Sequence, residues 1–296
     1  MRVEPGEGED RQDRGAAAHR RAATDGDALG SLLTNPGGPG ASGYDLIADS
    51  APFKMFLNAW WPPLSAADVL RRLADPAVVA RLMDGAQAAL MFTSPPYAQQ
   101  RDYGAAKEKV GDWDALMQGV FAAAPVTADA QLLVNLGLVH RDGEWIPYWE
   151  GWVDWMRAQG WRRFGWYVWD QGPGLPGDWN GRLAPSHEFI FHFNRSPRKP
   201  HKTVPSKHAG ETLGGGGLRG ADGTVHAKTG TGNAIQSHRI PDSVFRIIRH
   251  KGGLGAAGSH PAVFPVALVE AVLEAFTDPG DLVFEPFCGS GTQLIA

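Results

Sequence analysis

The sequence predicts an α/β fold: a mostly parallel, doubly wound sheet with a hairpin at its edge, an inserted basic segment and a disordered leader. Short apolar runs at 88–92, 131–139 and 281–284 are typical of buried strands, and each is followed by turn residues. Periodic segments at 148–160 and 266–273 predict amphipathic helices. The chain has 296 residues, 43% of them hydrophobic, enough for one substantial core and a smaller appendage.

Residues 1–60 are predicted to be a disordered or unrelated leader, because their first half is charged and alanine-rich without apolar periodicity. No apolar stretch reaches the length of a membrane span, and the single cysteine forms no internal disulfide, so we expect a cytoplasmic location. The Gly- and Pro-rich stretch 32–43 resembles the oxyanion-hole loop of α/β-hydrolase peptidases. A hydrolase would also need a G-x-S-x-G elbow, which the rest of the sequence lacks, so a linker or fused fragment is favoured.

The first strand is followed by Thr93-Ser94-Pro95-Pro96-Tyr97. Two consecutive prolines fix φ and remove two backbone donors, which leaves a stiff run of carbonyl acceptors. Ser94 and the Pro95 carbonyl could accept hydrogen bonds from an amine, and Tyr97 offers an aromatic face on which a planar group could stack. A turn with a packing tyrosine is the alternative.

The helix predicted over 148–160 carries Trp149, Trp152, Val153 and Met156 at three- and four-residue spacings, a stripe typical of core. The runs 163–169 and 188–193 predict two strands that form the edge hairpin of a mixed sheet. His187 and Glu188, at the start of the second run, favour a structural hydrogen bond over catalysis.

A second motif, Glu285-Pro286-Phe287-Cys288-Gly289-Ser290-Gly291-Thr292, follows the last predicted strand. Its glycines allow the backbone to approach a ligand closely. A P-loop would need a following Gly-Lys-Ser/Thr and a dinucleotide loop a third glycine, whereas a plain turn stays open. Cys288 is interpreted as a small packing residue. Because the carboxyl ends of parallel strands meet at one edge, the two motifs are expected to share a pocket.

Together the two motifs resemble those of the DNA amino-methyltransferases, which methylate the exocyclic nitrogen of adenine or cytosine with S-adenosylmethionine. The first is similar to their S/D-P-P-Y loop, and the second to D-P-F-x-G-S-G-T, with glutamate replacing aspartate. The catalytic motif comes first, as in the circularly permuted β class. The resemblance covers about 65–296 and implies a Rossmann-like S-adenosylmethionine-dependent methyltransferase sheet.

The resemblance also implies roles for individual residues. The catalytic set is Ser94, Pro95, Pro96 and Tyr97, the tyrosine stacking on a base flipped out of duplex DNA. The methyl donor would contact His260, Phe264, Glu285, Pro286, Phe287, Gly289, Ser290, Gly291 and Thr292. For His260 and Phe264 a proline-initiated helix with a packing phenylalanine fits equally well.

The segment 195–258 is predicted to recognise double-stranded DNA. From 195 to 251 it holds eleven Lys and Arg against three Asp and Glu, although the whole chain carries a net charge of −4. Positive charge concentrated in this way suits neutralisation of phosphates. The candidate contacts are Arg198, Lys199, Lys202, Lys207 and Arg239. A solvated loop, mobile around 214–217, is the alternative.

This division leaves 61–194 as the catalytic half and 259–296 as an incomplete donor-binding half. The expected reaction is direct methyl transfer without a metal, and serine at position 94 leans toward cytosine N4. The chain stops before strands that the resemblance requires, which makes a truncated, inactive DNA-binding remnant the main alternative. A cognate restriction enzyme and an oligomer stay open as partners.

Overall fold

The computed structural model describes residues 73–98, 110–174, 176–249, 265–287 and 296. Several sequence predictions therefore fall outside the described residues. These are the leader 1–60, His260 and Phe264, and the glycine-rich end of the second motif, Gly289 to Thr292, with Cys288 before it.

Four helices are described: α1 (Pro76–Leu82), α2 (Val110–Ala123), α3 (Glu150–Ala158) and α4 (Val266–Phe276). The first begins where Asp75 caps it by accepting a hydrogen bond from the Ala77 amide at 2.9 Å, with proline in the first turn. Helix α4 follows Pro265, as the sequence predicts. No helix in the described ranges has the length and apolar character needed to cross a membrane.

The strands form one large sheet and three small ones. They are β1 (Ala88–Thr93), β2 (Val126–Leu136), β3 (Val139–Arg141), β4 (Glu144–Ile146), β5 (Arg162–Asp170), β6 (His187–Asn194), β7 (Val204–Pro205), β8 (Gly217–Arg219), β9 (Val225–Ala227), β10 (His238–Arg239), β11 (Val244–Arg246) and β12 (Val283–Phe284).

The central sheet has the order β11-β5-β6-β2-β1-β12. All of its strands are parallel except β6, which runs antiparallel to both of its neighbours. The mostly parallel sheet predicted from the sequence is thus confirmed. Since β6 runs the other way, its first residues lie at the edge where the other strands end.

Two details of the predicted sheet are wrong. The β5/β6 hairpin does not form the edge, because β11 pairs outside β5 and β6 lies between β5 and β2. Strand β11 comes from the segment predicted to recognise DNA, and its Phe245 is buried. The apolar run 131–139 is also not one strand, since β2 ends at Leu136 and Val139 starts the small β3/β4 hairpin.

The core lies on both faces of the sheet, as a doubly wound fold requires. Alternate β2 side chains point to opposite sides, with Leu132 and Val134 on the face covered by α1, α2 and α3. Leu133 lies on the other face and packs with α4. The predicted tryptophan stripe of α3 is core, since Trp152 is fully buried and packs edge-on against Trp113 of α2.

A buried network of side-chain hydrogen bonds connects β6 to the neighbouring strands β2 and β5. The Gln131 side-chain oxygen accepts from His192 Nε2 and from the Asn194 amide, both at 2.9 Å, and the His192 Nδ1 atom lies 2.8 Å from the Tyr167 hydroxyl. Burial lowers the pKa of His192 to about 4, so its ring is neutral. A neutral ring can donate through Nε2 and accept through Nδ1, which fits both contacts.

Residues 204–239 form a long two-stranded ribbon outside the central sheet. Strand β7 pairs with β10, the Thr212–Ala234 bridge follows, and β8 pairs with β9 near the turn. Most side chains along both strands are exposed. The ribbon, defined by residues 204–239, is therefore largely exposed to solvent.

Candidate active site

The structure brings the first motif and the start of the second together at the carboxyl edge of the sheet. Thr93 is the last residue of β1, and its hydroxyl donates a hydrogen bond to the carboxyl group of Glu285, just beyond β12. The same Glu285 oxygen accepts the Phe287 backbone amide at 2.7 Å. Because β1 and β12 are adjacent and parallel, both motifs leave the sheet side by side.

Glu285 is a buried carboxyl group, with only 2% of its surface exposed. Burial raises its pKa to about 8, and the hydrogen bonds from Thr93 and the Phe287 amide offset only part of that rise. A cation placed nearby would favour the ionised form. In the absence of such a charge, Glu285 is protonated at neutral pH.

The first motif, the loop of residues 93–97 that is predicted to be catalytic, is held from the helix side by Trp113. This indole is fully buried in α2, and its Nε1 donates to the Pro96 carbonyl at 2.6 Å. The bond fixes the orientation of the peptide group after Pro96. Pro95 is buried, whereas Ser94 and Tyr97 are half-buried and so partly accessible from solvent.

The Tyr97 hydroxyl lies in a cluster of three polar side chains. It donates to Glu188 Oε2 at 2.7 Å and accepts from the Asn135 amide at 3.0 Å. Asn135 also donates to the same Glu188 oxygen at 2.5 Å.

The Tyr97 pKa lies well above its ordinary value, first because its hydroxyl lies in the interior, although part of the residue is exposed, and second because of the neighbouring Glu188 charge. The phenol therefore stays protonated and acts as a donor to Glu188.

The Tyr97 ring is also packed closely against the backbone. A Cβ atom built on Gly137 would lie 2.6 Å from the ring carbon Cε2, so only glycine fits there. The Tyr148 hydroxyl donates to the Gly137 carbonyl at 3.1 Å and holds this backbone in place. The ring is thus fixed at its hydroxyl and along one edge.

Five supporting residues were absent from the predicted site: Trp113, Asn135, Gly137, Tyr148 and Glu188. Asn135 carried a usable signal, since it is a polar residue inside a buried apolar strand and such a group needs a partner. The structural hydrogen bond that the neighbouring His187 and Glu188 suggested is made elsewhere, since Glu188 accepts from Tyr97 and Asn135. Its neighbour His187 is exposed and packs edge-on against Phe189.

The predicted DNA contacts differ in how they are engaged. The Arg198 guanidinium binds the carboxylates of Asp278 and Asp281, the second at 2.8 Å, in the turn after α4. Two further candidates also have partners within the chain. Arg239 forms a two-point ion pair with Asp242, and Lys202 donates a hydrogen bond to Gln236. Lys199 and Lys207 are exposed.

Across the described ranges, no group of three or more His, Cys, Asp or Glu side chains is arranged to hold a metal ion.

Comparison with known proteins gives concordant matches. A family model described as DNA methylase, of the N6/N4 methyltransferase type, matches residues 88–296. The type II methyltransferase M.XycI of Xanthomonas campestris pv. cyanopsidis is 26% identical over 260 residues, 74% of this chain and 76% of that protein. M.Cfr9I of Citrobacter freundii, also a type II methyltransferase, is 26% identical over 266 residues, 77% and 75% of the two chains.

Among solved structures, the PvuII DNA methyltransferase, described as cytosine-N4-specific, superposes with a TM-score of 0.52 at 18% identity. The match covers 82% of this chain and 77% of that one. At this identity the likeness concerns the fold, and it agrees with the mixed sheet described above.

Proposed function

Because the chain belongs to the family of N6/N4 DNA methylases, we propose that it is a site-specific DNA methyltransferase that uses S-adenosylmethionine. It would transfer the methyl group to the exocyclic amine of cytosine or adenine. The observation that carries the proposal is the bond from Thr93 to Glu285, which joins the end of the catalytic strand to the start of the donor motif. Donor and acceptor could therefore meet at this edge.

The donor supplies an electrophilic methyl group on a positively charged sulfur. Glu285 suits a cationic ligand of this kind, since a nearby positive charge would stabilise its buried carboxylate. Pro286 and Phe287 follow it at the carboxyl end of β12. His260, Phe264 and the glycine-rich residues 289–292 complete the proposed donor contacts on sequence grounds.

The acceptor side consists of the catalytic loop. Ser94 and the Pro95 carbonyl would accept hydrogen bonds from the amine, which localises its lone pair toward the methyl carbon. In the transfer the methyl group would pass from sulfur to this nitrogen, and the amine proton held by these acceptors would leave to water. Trp113 keeps the following peptide fixed, so these acceptors need little reorganisation. Tyr97 supplies the ring on which the flipped base stacks.

The ribbon and its flanks are proposed as the DNA-recognition segment, within the proposed boundaries 195–258. A two-stranded ribbon can enter the major groove, where each base pair presents a distinct pattern of donors and acceptors. The ribbon is exposed on both strands and carries Lys207, Arg219 and Lys228. The ribbon ends a few residues before β11, so it is joined to the central sheet, but its strands are not part of that sheet.

Two finer assignments complete the proposal. Ser94 favours cytosine N4 over adenine N6 as the acceptor. The two relatives are type II methyltransferases, and a cognate restriction enzyme is proposed as a partner of this chain. Neither assignment alters the chemistry of the site.

The test is transfer of a radiolabelled methyl group from S-adenosylmethionine to mixed-sequence duplex DNA. Ser94→Ala and Tyr97→Ala proteins serve as inactive comparisons, and Glu270→Ala on the exposed side of α4 as the matched control. Label that both loop variants abolish and the control retains would support the proposal, and digestion to nucleosides would identify the base. DNA binding by a folded protein without any label would instead indicate a DNA-binding remnant.

A further inference from the structure

The antiparallel strand β6 places the carboxylate of Glu188 at the edge of the sheet where β1 ends and the catalytic loop begins. Parallel strands bring their last residues to this edge, but β6 brings its first ones, because it runs the other way. Its register places Phe189 opposite Leu136, the last residue of β2. Glu188 therefore lies beyond the end of β2, where it reaches the catalytic loop.

Glu188 is the common acceptor of the cluster around Tyr97. Its Oε2 atom accepts a hydrogen bond from the Tyr97 hydroxyl at 2.7 Å and another from the Asn135 side-chain amide at 2.5 Å. Hydrogen bonds to an ionised acceptor are shorter and about twice as strong as those between neutral groups. Asn135 in turn donates to the phenol oxygen at 3.0 Å, so the three groups hold one another.

The ring has a second fixed point at Gly137, whose backbone leaves no room for even a methyl group beside Cε2. A ring held at its hydroxyl and along one edge cannot turn freely about its side-chain bonds. Its plane is set before any base arrives. Orientation arranged in advance removes an entropic cost from the reaction.

We propose that Glu188 is a positioning residue, which holds the Tyr97 hydroxyl so that the ring presents a fixed plane to the target base. It acts through the tyrosine and does not itself contact the base. This inference rests on the proposed methyltransferase function and adds to it a residue outside both motifs.

The kinetic test is a double-mutant cycle on methyl transfer, with Glu188→Ala, Tyr97→Phe and the double variant. We expect each single variant to lower kcat by roughly 10- to 100-fold, the range that misplacement of a reacting group produces. KM for S-adenosylmethionine should not change. The double variant should be no slower than either single variant, because both remove the same contact.

Two further variants sharpen the cycle. Glu188→Gln should recover most of the rate, since the amide oxygen can still accept the phenol, and Glu270→Ala controls for loss of an exposed carboxylate elsewhere. A double variant that is slower by the product of the two single effects would overturn the proposal. That result would mean that Glu188 acts on the base or donor directly.

The contact can also be followed without activity. In protein labelled with 3-fluorotyrosine, the Tyr97 fluorine resonance is the one missing from Tyr97→Phe. It should shift in Glu188→Ala and stay in place in Glu270→Ala. An unmoved resonance in Glu188→Ala would overturn the proposal even if the enzyme is active. If wild-type protein transfers no methyl group, the proposed function fails separately, and the resonance still decides whether Glu188 holds the ring.

Discussion

Gly137 shows how a single missing side chain shapes the site. An added Cβ would lie 2.6 Å from Tyr97 Cε2, so Gly137→Ala must displace the ring. We expect kcat to fall about 10- to 100-fold, since small misplacements in an active site have effects of this size. Gly119→Ala is the matched control, because its Cβ would meet Ala74 Cβ at 2.8 Å, away from the site. Equal losses of activity in the two variants would contradict this role for Gly137.

Glu285 predicts a pH dependence of stability. Its pKa rises from 4.5 to about 8 on folding, so the folded state holds its proton between these values while the unfolded chain has lost it. The free energy of unfolding should therefore fall as pH rises from 4.5 to 8, by at most about 1.4 kcal/mol per pH unit from this group.

The measurement is denaturant unfolding of wild type and Glu285→Gln at several pH values. His192, whose pKa is lowered to about 4, contributes the opposite trend, but only below about pH 6.5, its value in the unfolded chain. Between pH 6.5 and 8, the difference between the two proteins therefore reports the contribution of Glu285 without that of His192. Glutamine keeps an oxygen for Thr93 and the Phe287 amide without the charge, so its curve should be flatter there. Parallel curves for the two proteins would show that Glu285 is already ionised at neutral pH.

At the scale of elements, the buried polar network determines how firmly β6 is attached. Gln131 accepts from His192 and Asn194 and donates to the carbonyls of Asp129 and Ser196. Gln131→Leu would leave His192 Nε2 and the Asn194 side-chain amide without this acceptor in the core. We expect a loss of about 2–4 kcal/mol in the free energy of unfolding.

The control for this variant is Thr127→Val, which removes an exposed hydrogen bond to Asp129 on the same strand and should cost little. Denaturant titration gives both values. A loss below about 1 kcal/mol for Gln131→Leu would mean that β6 is held mainly by its apolar residues and backbone bonds.

The elements that the sequence predicted correctly are those with a local pattern. The run before Thr93 and the periodic residues after Pro265 specify β1 and α4 by themselves. The position of the β5/β6 hairpin was wrong because strand order depends on a remote partner. The short strand β11 lies some 75 residues after β5, and its three residues carry no pattern that separates them from a loop.

At the scale of the whole molecule, the two motifs of the candidate site could be recognised from the sequence, but the residues that hold them in place could not. Ser94, Tyr97 and Glu285 stand in motifs whose spacing is visible in the chain. Glu188 and Asn135 matter because an antiparallel strand lies beside β2, a fact of topology that no local window contains. The same holds for Arg198, since a basic residue in a basic segment does not reveal a carboxylate 80 residues away.

The distribution of charge gives a prediction for DNA binding. The whole chain carries a net charge of −4, yet residues 195–251 include eleven basic and three acidic residues. The electrostatic field of the protein should therefore orient DNA toward this segment. Within it, Lys199 and Lys207 are exposed, whereas Arg198 is engaged by Asp278 and Asp281. Only charges that reach phosphates release counterions on binding.

We therefore expect Lys199→Ala and Lys207→Ala each to reduce the slope of log affinity against log salt concentration by about 1. Arg198→Ala should leave the slope nearly unchanged and lower stability instead, because its partners form the turn between α4 and β12. Fluorescence anisotropy with a labelled duplex, measured from low to moderate salt, gives the slopes, and thermal unfolding gives the stability. A slope reduced by Arg198→Ala as much as by the lysine variants would place its guanidinium on the DNA.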